Sequence, residues 1–511
     1  MSGFLAATGL LAAAAACAAS ILIPPGRLRS LAMLVAIALF PLLLLGDQWH
    51  TAQIVDLRND DARTASLLLA ALVAVGGLTA AFRRWPVLLP LAIVAALPFR
   101  VPLHAGGDTA NLLVPLYLVI AAGVVFTLMR DWRSPPSDWT PRPLAWLLAA
   151  FVVLYAVQAL YSGDFSKGLQ NVCFFLIPFT VAYRLLREVE WDRRLLTLAL
   201  GVVAVEAVAL VLVGSVEYAT RSLIWNDQVI RSNEFHTYFR VNSVFWDPNV
   251  YGRYLALVLV VVTAALLWVR RGRDFWLLTA TILVLWLGLA QTFSQSSFIA
   301  LLAGLAVLAA IRWSWRWTLA AVAVGVVGVV LVVTLTGGKS IELSNLFNRL
   351  NVDTSGRANL VQGGLDLFGE RPLQGYGSGS FQSAYRDHRE NKDVPVSVSH
   401  TEPITIAAEQ GLVGLLLYVA LIVVALWTLA SGIRGPPVDS AKGESENGAS
   451  LPRPQDSPFA LLAARAAVLA AFVALLVHTM SYAGFFEDPI TWVLLAIGAS
   501  LAHAPPVREP A

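Results

Sequence analysis

Apolar residues in this chain come in runs of about 20, separated by short polar connections, and few of the runs have a polar face. Stretches such as "LLAGLAVLAAI", "ALVLVVVTAALLWV" and "AAVAVGVVGVVLVVTL" are too long and too uniformly apolar for the core helices of a soluble domain. Candidate spans fall near 4–23, 30–46, 65–82, 86–98, 110–129, 144–161, 170–183, 195–214, 247–269, 275–292, 295–311, 317–336, 403–431, 458–479 and 489–503. The pattern predicts an all-α polytopic integral membrane protein with about 14–15 transmembrane helices.

The polar breaks divide the chain further. Residues 1–214 carry N-terminal transmembrane helices, 215–246 an outer loop, and 247–336 further helices. Residues 337–402 form a large outer loop, the longest polar region of the protein, followed by one span at 403–431. A Pro/Gly/Ser-rich stretch at 432–457 reads as a disordered cytoplasmic linker before the C-terminal helices and tail of 458–511.

Composition agrees: of 511 residues 57% are hydrophobic and 14% charged, and the mean hydropathy is +0.68. The net charge of +3 says little, but its distribution says more. Basic residues gather in alternate connections, at Arg27 and Arg29, Arg83 and Arg84, Arg130, Arg133 and Arg142, Arg184, Arg187, Arg193 and Arg194, Arg270, Arg271 and Arg273, and Arg312 and Arg316. Positive connections stay in the cytoplasm, which puts the N-terminus outside, the C-terminus inside and both long loops on the outer face. Two cysteines, Cys17 and Cys173, each within an apolar run, give neither a disulfide framework nor zinc spacing. The first run lacks a basic n-region and reads as a span, not a cleaved signal.

Inside the large outer loop, Thr354 or Ser355 is placed to cap a helix over about 357–369, with Leu360, Val361, Leu365 and Phe368 at helical spacing. Glu370-Arg371-Pro372 ends it, and "GYGSGS" follows as a tight turn. That glycine string lacks the strand–loop–helix setting of a phosphate-binding loop and reads first as compact backbone. By itself Arg357 reads as an interfacial arginine meeting lipid headgroups, and His400 as a polar residue capping the next span. Glu402-Pro403 suits a first helical turn. Glu409, two turns further in, is costly in a membrane unless paired or facing a cavity.

These elements resemble the O-antigen ligase and polymerase family of bacterial envelope glycan assembly. The resemblance rests on Ser355-Gly356-Arg357, "LDLFGERPLQGYGSGSF" at 365–381, then a histidine followed by "AEQGLVGLLLY" at 408–418. Upstream, Arg240 precedes "VNSVFWDPNVYGRYLAL", like the family's arginine before F-x-x-P-N. Two departures stand out: Thr401 follows His400 where the family has asparagine, and Ser294-Gln295-Ser296-Ser297 replaces Ser-Arg-Gly.

The resemblance implies a GT-C-like membrane glycosyltransferase of the bacterial cytoplasmic membrane, inverting and metal-independent, without a cofactor. It would move glycan from an undecaprenyl-diphosphate-linked donor onto a glycan or lipid-linked acceptor hydroxyl at the outer face, as in lipopolysaccharide assembly. Its partners are then membrane lipids and lipid-linked glycans, not nucleic acid. Arg240 and Arg357 would bind the diphosphate, whose charge suits the guanidinium fork. His400 would accept the acceptor's proton, with Glu402 or Glu409 orienting it. Two other classes fit a polytopic chain: a transporter or flippase of lipid-linked glycan, and a non-catalytic scaffold of an envelope polysaccharide complex.

Overall fold

The computed structural model describes residues 3–105, 108–132, 139–235, 238–324, 357–388, 399–431, 433 and 458–502. In chain order the helices are α1 (Gly3–Leu22), α2 (Arg27–Asp47), α3 (Ala52–Asn59), α4 (Asp61–Arg84), α5 (Leu88–Ala96), α6 (Val114–Asp131), α7 (Pro143–Ala159) and α8 (Phe165–Arg187). There follow α9 (Arg193–Thr220), α10 (Asp227–Phe235), α11 (Pro248–Trp268), α12 (Arg273–Thr292), α13 (Gln295–Arg312), α14 (Arg357–Glu370), α15 (Phe381–His388), α16 (Glu402–Ser431), α17 (Pro458–Thr479) and α18 (Pro489–Leu501). Among the described residues, 11 helices are long and apolar enough to cross a membrane, with α7 and α18 as shorter apolar companions. The chain is an all-α polytopic membrane protein.

The span expected at 86–98 is corrected by α5. Nine residues rise about 14 Å, half of the hydrocarbon thickness, and Pro98 bars continuation. The chain then turns through an antiparallel hairpin, β1 (Val101–Ala105) against β2 (Asp108–Leu112), the only strands among the described residues. Hence α6 starts at Val114 and not near 110. The expected short span at 170–183 is part of the longer α8, which contains a π-helical turn at Val172–Leu176. Pro178 has no N–H to offer the Phe174 carbonyl, and the Tyr117 hydroxyl donates to it at 2.8 Å instead. The cap expected at Thr354 or Ser355, most of the linker at 432–457, and the part of the 317–336 span beyond residue 324 lie outside the described residues.

Side-chain bonds sort the helix termini into two ends. At one, Arg29 (α2) meets Asp131 (α6) at 2.7 Å and Glu188, next to α8, at 2.9 Å. Arg130 and Arg184 close on the same carboxylates, so burying Arg29 completely leaves no charge unanswered. Arg465 near the start of α17 donates to the Leu501 carbonyl that closes α18. At the opposite end, Ser166 (α8) donates to Asp47 (α2), and Arg253 (α11) pairs with Asp488, the cap of α18, at 2.8 Å. The basic connections seen in the sequence, Arg29, Arg130 and Arg184, thus collect at one end. Elsewhere α4 turns Leu67, Leu68, Leu69 and Leu72 outward, each more than half exposed, as a lipid-facing surface requires.

The opposite end is organised by the glycine turn. Helix α16 breaks at Gly411 (φ 64°, ψ −163°), which interrupts its own hydrogen-bond ladder inside the protein. Residues 372–381 fill the gap as an arch. The amides of Tyr376 and Gly377 donate to the Ala408 and Glu409 carbonyls at 3.1 and 2.8 Å, and the Leu412 amide donates to the Pro372 carbonyl at 2.7 Å. Gln158 of α7 donates through Nε2 to the Gln410 carbonyl at 3.1 Å. Every group freed by the break near Gly411 that these bonds reach is satisfied by a neighbouring segment, as a non-helical turn at membrane depth demands. The glycines make the approach possible. A Cβ on Gly411 would stand 2.4 Å from the Leu373 carbonyl oxygen, and one on Gly375 (φ 67°) 2.3 Å from that of Glu409.

Helix α14 starts and ends where the sequence predicts; it sets Gly363 against Tyr385 of α15, Gly364 against Ile404 of α16 and Leu367 into the cluster of Phe381, Tyr385 and Ala408, while Leu365 is half exposed. Gly363 and Gly364, with Leu367, mark its packed side; Leu365 does not.

Two outcomes follow from this packing. Gly411→Ala forces an alanine into a backbone region open almost only to glycine, costing roughly 1–3 kcal/mol before any clash is relieved. A purified variant should melt several degrees lower in detergent; an unchanged melting temperature refutes the arch. Glu188→Gln should cost about 2–3 kcal/mol, less than the ~3–5 of a fully enclosed pair because Glu188 keeps access to solvent. Thermal unfolding at low and high salt measures it, and no loss at either would show the cluster to be idle.

Candidate functional site

Beside the arch lies a cavity of about 380 Å³, walled by α7, α8, α15, α16 and the connection 480–488. His400, Glu402 and Glu409, singled out in the sequence, all line it. Lys167, Tyr482 and Glu487 line it too, with Phe151, Phe175, Phe381 and Phe486 as apolar walls. Phe151 stacks on Phe486 with centroids 3.7 Å apart, which ties α7 to the connection. Among the described residues no three His, Cys, Asp or Glu side chains converge as a metal centre.

His400 precedes α16 in the left-handed region (φ 61°), a conformation that costs a β-carbon residue about 1–2 kcal/mol. Its surroundings hold it there. The Ser399 hydroxyl donates to the Thr401 carbonyl at 2.8 Å, and the Thr401 hydroxyl donates to the Met480 carbonyl of the next segment at 3.1 Å. Thr401, where the family resemblance would put asparagine, therefore joins the start of α16 to the connection 480–488. The imidazole lies tilted against Tyr482, centroids 5.9 Å apart.

The two glutamates are engaged by backbone. Glu402 Oε2 accepts from the Gly484 and Phe485 amides at 2.7 and 3.1 Å. Glu409 accepts from the Gly379 amide at 2.9 Å and the Phe381 amide at 3.0 Å, one on each oxygen, and so caps the short α15 while holding the arch. Both carboxylates thus build the cavity walls as well as line them. Glu487 is open to solvent through the cavity, yet enclosure by the walls pushes its carboxyl above the usual range, against the pull of Lys167 and Arg253.

Arg240 lies at the same end of the helices but is not among the residues lining the cavity. Its Nε donates to the Thr292 carbonyl and its Nη2 to Asn249 Oδ1, both at 3.0 Å. The serines at the start of α13 continue that network: Ser294 donates to Asn249 Oδ1 at 2.9 Å, and Ser296 and Ser297 reach His478 Nε2 at 3.2 and 3.3 Å. His478 in turn lies 6.0 Å from the Tyr482 ring, so Tyr482 stands between two imidazoles. Arg357 opens α14, and its side chain is outside the described residues.

Lys167, Tyr482 and Glu487 were not singled out by sequence reasoning. A signal for Lys167 existed: it is the first lysine in an arginine-rich chain, and it stands on a connection that is otherwise poor in basic residues. Glu487 belongs to the acidic "YAGFFEDP" connection, but nothing local tells which carboxylate faces a cavity.

Comparison with known proteins bears on this end of the molecule. Residues 280–419, which include α14, the arch, α15, His400, Glu402 and Glu409, match the family model described as O-antigen ligase. A search of curated proteins gave no match. The likeness to that family is carried by residues 280–419.

Proposed function

We propose that the cavity is the active site of a membrane glycosyltransferase that joins glycan from an undecaprenyl-diphosphate-linked donor to an acceptor hydroxyl at the outer face of the cytoplasmic membrane. The observation that carries the reading is the meeting of His400, Lys167 and Glu487 in one cavity bordered by the family-matched segment. In this reading the acceptor oxygen attacks the anomeric carbon from the face opposite the diphosphate. The new C–O bond forms as the bond to the diphosphate oxygen breaks, inverting the centre. The hydroxyl proton passes to the His400 imidazole, and the electron pair leaves with undecaprenyl diphosphate. No metal is invoked, because the leaving charge is met by cations of the protein.

Lys167 supplies such a cation within the cavity, and Arg240 and Arg357 remain proposed diphosphate ligands from the two outer loops. Glu402 and Glu409 act by position: each fixes backbone that carries His400 or closes the cavity beside it. The arginines collected at the far end support the outer orientation, because charge bias keeps such an end cytoplasmic. The lateral walls of aromatic side chains suit a donor whose polyprenyl tail stays in the bilayer.

Two variants test this with purified protein in detergent, where no gradient or second compartment exists for a transporter to use. His400→Asn keeps a residue that tolerates the left-handed backbone but removes the base, and glycan transfer should fall about 10²-fold or more at unchanged melting temperature. Transfer within a few-fold of the parent chain would remove His400 from the reaction. Lys167→Ala should raise the KM for the lipid-linked donor more than it lowers kcat for a saturating one; an unchanged KM would take Lys167 out of donor binding.

A further inference from the structure

At the arginine-rich end lies a second cavity, about 270 Å³, between the starts and ends of α1, α7, α8, α16 and α18. We propose that it binds the phosphate of an anionic phospholipid, held by Arg142, Arg184 and Arg187. This is separate from the glycan site, which lies at the other end of the same helices.

The argument begins with charge. Three arginines line the cavity, and no carboxylate does among the described residues. Arg184 is anchored on one side by Glu188 and lies over the Trp139 ring at 5.4 Å. Arg187 lies beside the Tyr183 phenol on the same wall. Arg142 stands near Arg187, and partial burial together with that neighbouring guanidinium pushes it below the usual arginine range. Guanidinium groups held side by side, with Glu188 the one flanking acid among the described residues, are stabilised by an anion, and a phosphate diester matches their planar donors. Thr428 and Ser431 border the facing wall, their hydroxyls donating to the Val424 and Thr428 carbonyls of α16.

The second strand is the shape of the surroundings, which selects a lipid over a soluble phosphate. The floor is apolar, with Ile21, Leu144 and Val424. Trp427 (73% exposed) lines the mouth itself, and beyond it α16 exposes Leu416 (60%) and Val423 (59%) and α7 exposes Trp146 (55%). An exposed apolar strip running down from a cationic pocket offers a path for acyl chains beneath a bound headgroup, and tryptophans at that level are the usual markers of the membrane boundary. Basic pockets of this kind between spans on the cytoplasmic side take anionic headgroups.

Native mass spectrometry of the full chain in detergent tests the site, with phosphatidylglycerol, phosphatidylcholine or inorganic phosphate added. Phosphatidylglycerol should be retained at several-fold lower concentration than phosphatidylcholine, and Arg142→Gln should weaken that retention about five-fold, with a similar further loss on adding Arg187→Gln. Arg142→Lys, which keeps the charge but not the planar fork, should weaken retention less than Arg142→Gln. Arg142 is exposed at the start of α7, so its single variant should fold and can be read alone if the double variant does not. Equal retention of the two lipids, or undiminished phosphatidylglycerol binding by Arg142→Gln, overturns the proposal. Displacement of bound lipid by millimolar inorganic phosphate also overturns it, in favour of a small-anion site.

Discussion

The structure at the polar end depends on one substitution of partners: carbonyls that a continuous α16 would use internally are taken by amides of the arch. The Ala408 and Glu409 carbonyls receive the Tyr376 and Gly377 amides, and Leu412 turns to Pro372. An unsatisfied backbone group in a low-dielectric interior costs several kcal/mol, so the break and the arch are stable only together. Glu409 extends the same exchange to its side chain, with both oxygens on arch amides. The cavity then exists because the first turns of α16 are tilted away from the rest of the helix and must be covered by something other than helix.

The two ends of the molecule handle charge differently. At the arginine-rich end, Arg29 is fully buried but answered by Asp131 and Glu188, an arrangement that fixes three helices in register. At the cavity end, acids and bases face each other across a space: Glu487 and Asp488 on one connection, Lys167 and Arg253 on α8 and α11. Only Arg253 and Asp488 close into a direct pair. The groups left open to the cavity are the ones a charged substrate can engage, which separates the structural charges from those available to chemistry.

Much of this was legible in the sequence, because bilayer physics writes long apolar runs and charge bias directly into the chain. The spans, the break between α14 and the arch, and the gathering of His400, Glu402 and Glu409 follow from runs, prolines and glycines read in order. Less legible was anything decided by contact between distant segments. Residues 86–98 look like a span by apolarity, yet Pro98 and the following hairpin stop them at nine helical residues. Leu365 looks like part of a packed face, whereas Gly363 and Gly364 bring α14 close to its neighbours. Lys167 enters the cavity because α8 begins beside the arch, a placement set by Gly168 lying against the Ser378 carbonyl and not by any local pattern.

The arch also constrains how the chain can vary in length. Between Pro372 and Phe381 the carbonyl of the first and the amides of Tyr376, Gly377, Gly379 and Phe381 each meet a fixed acceptor or donor on α16. With contacts spaced so closely there is no slack to absorb an inserted or deleted residue: one step of shift would move Gly375 off the Glu409 carbonyl and put a side chain there. Insertions compatible with this architecture are therefore confined to either side of the segment, where the backbone is not threaded through a broken helix.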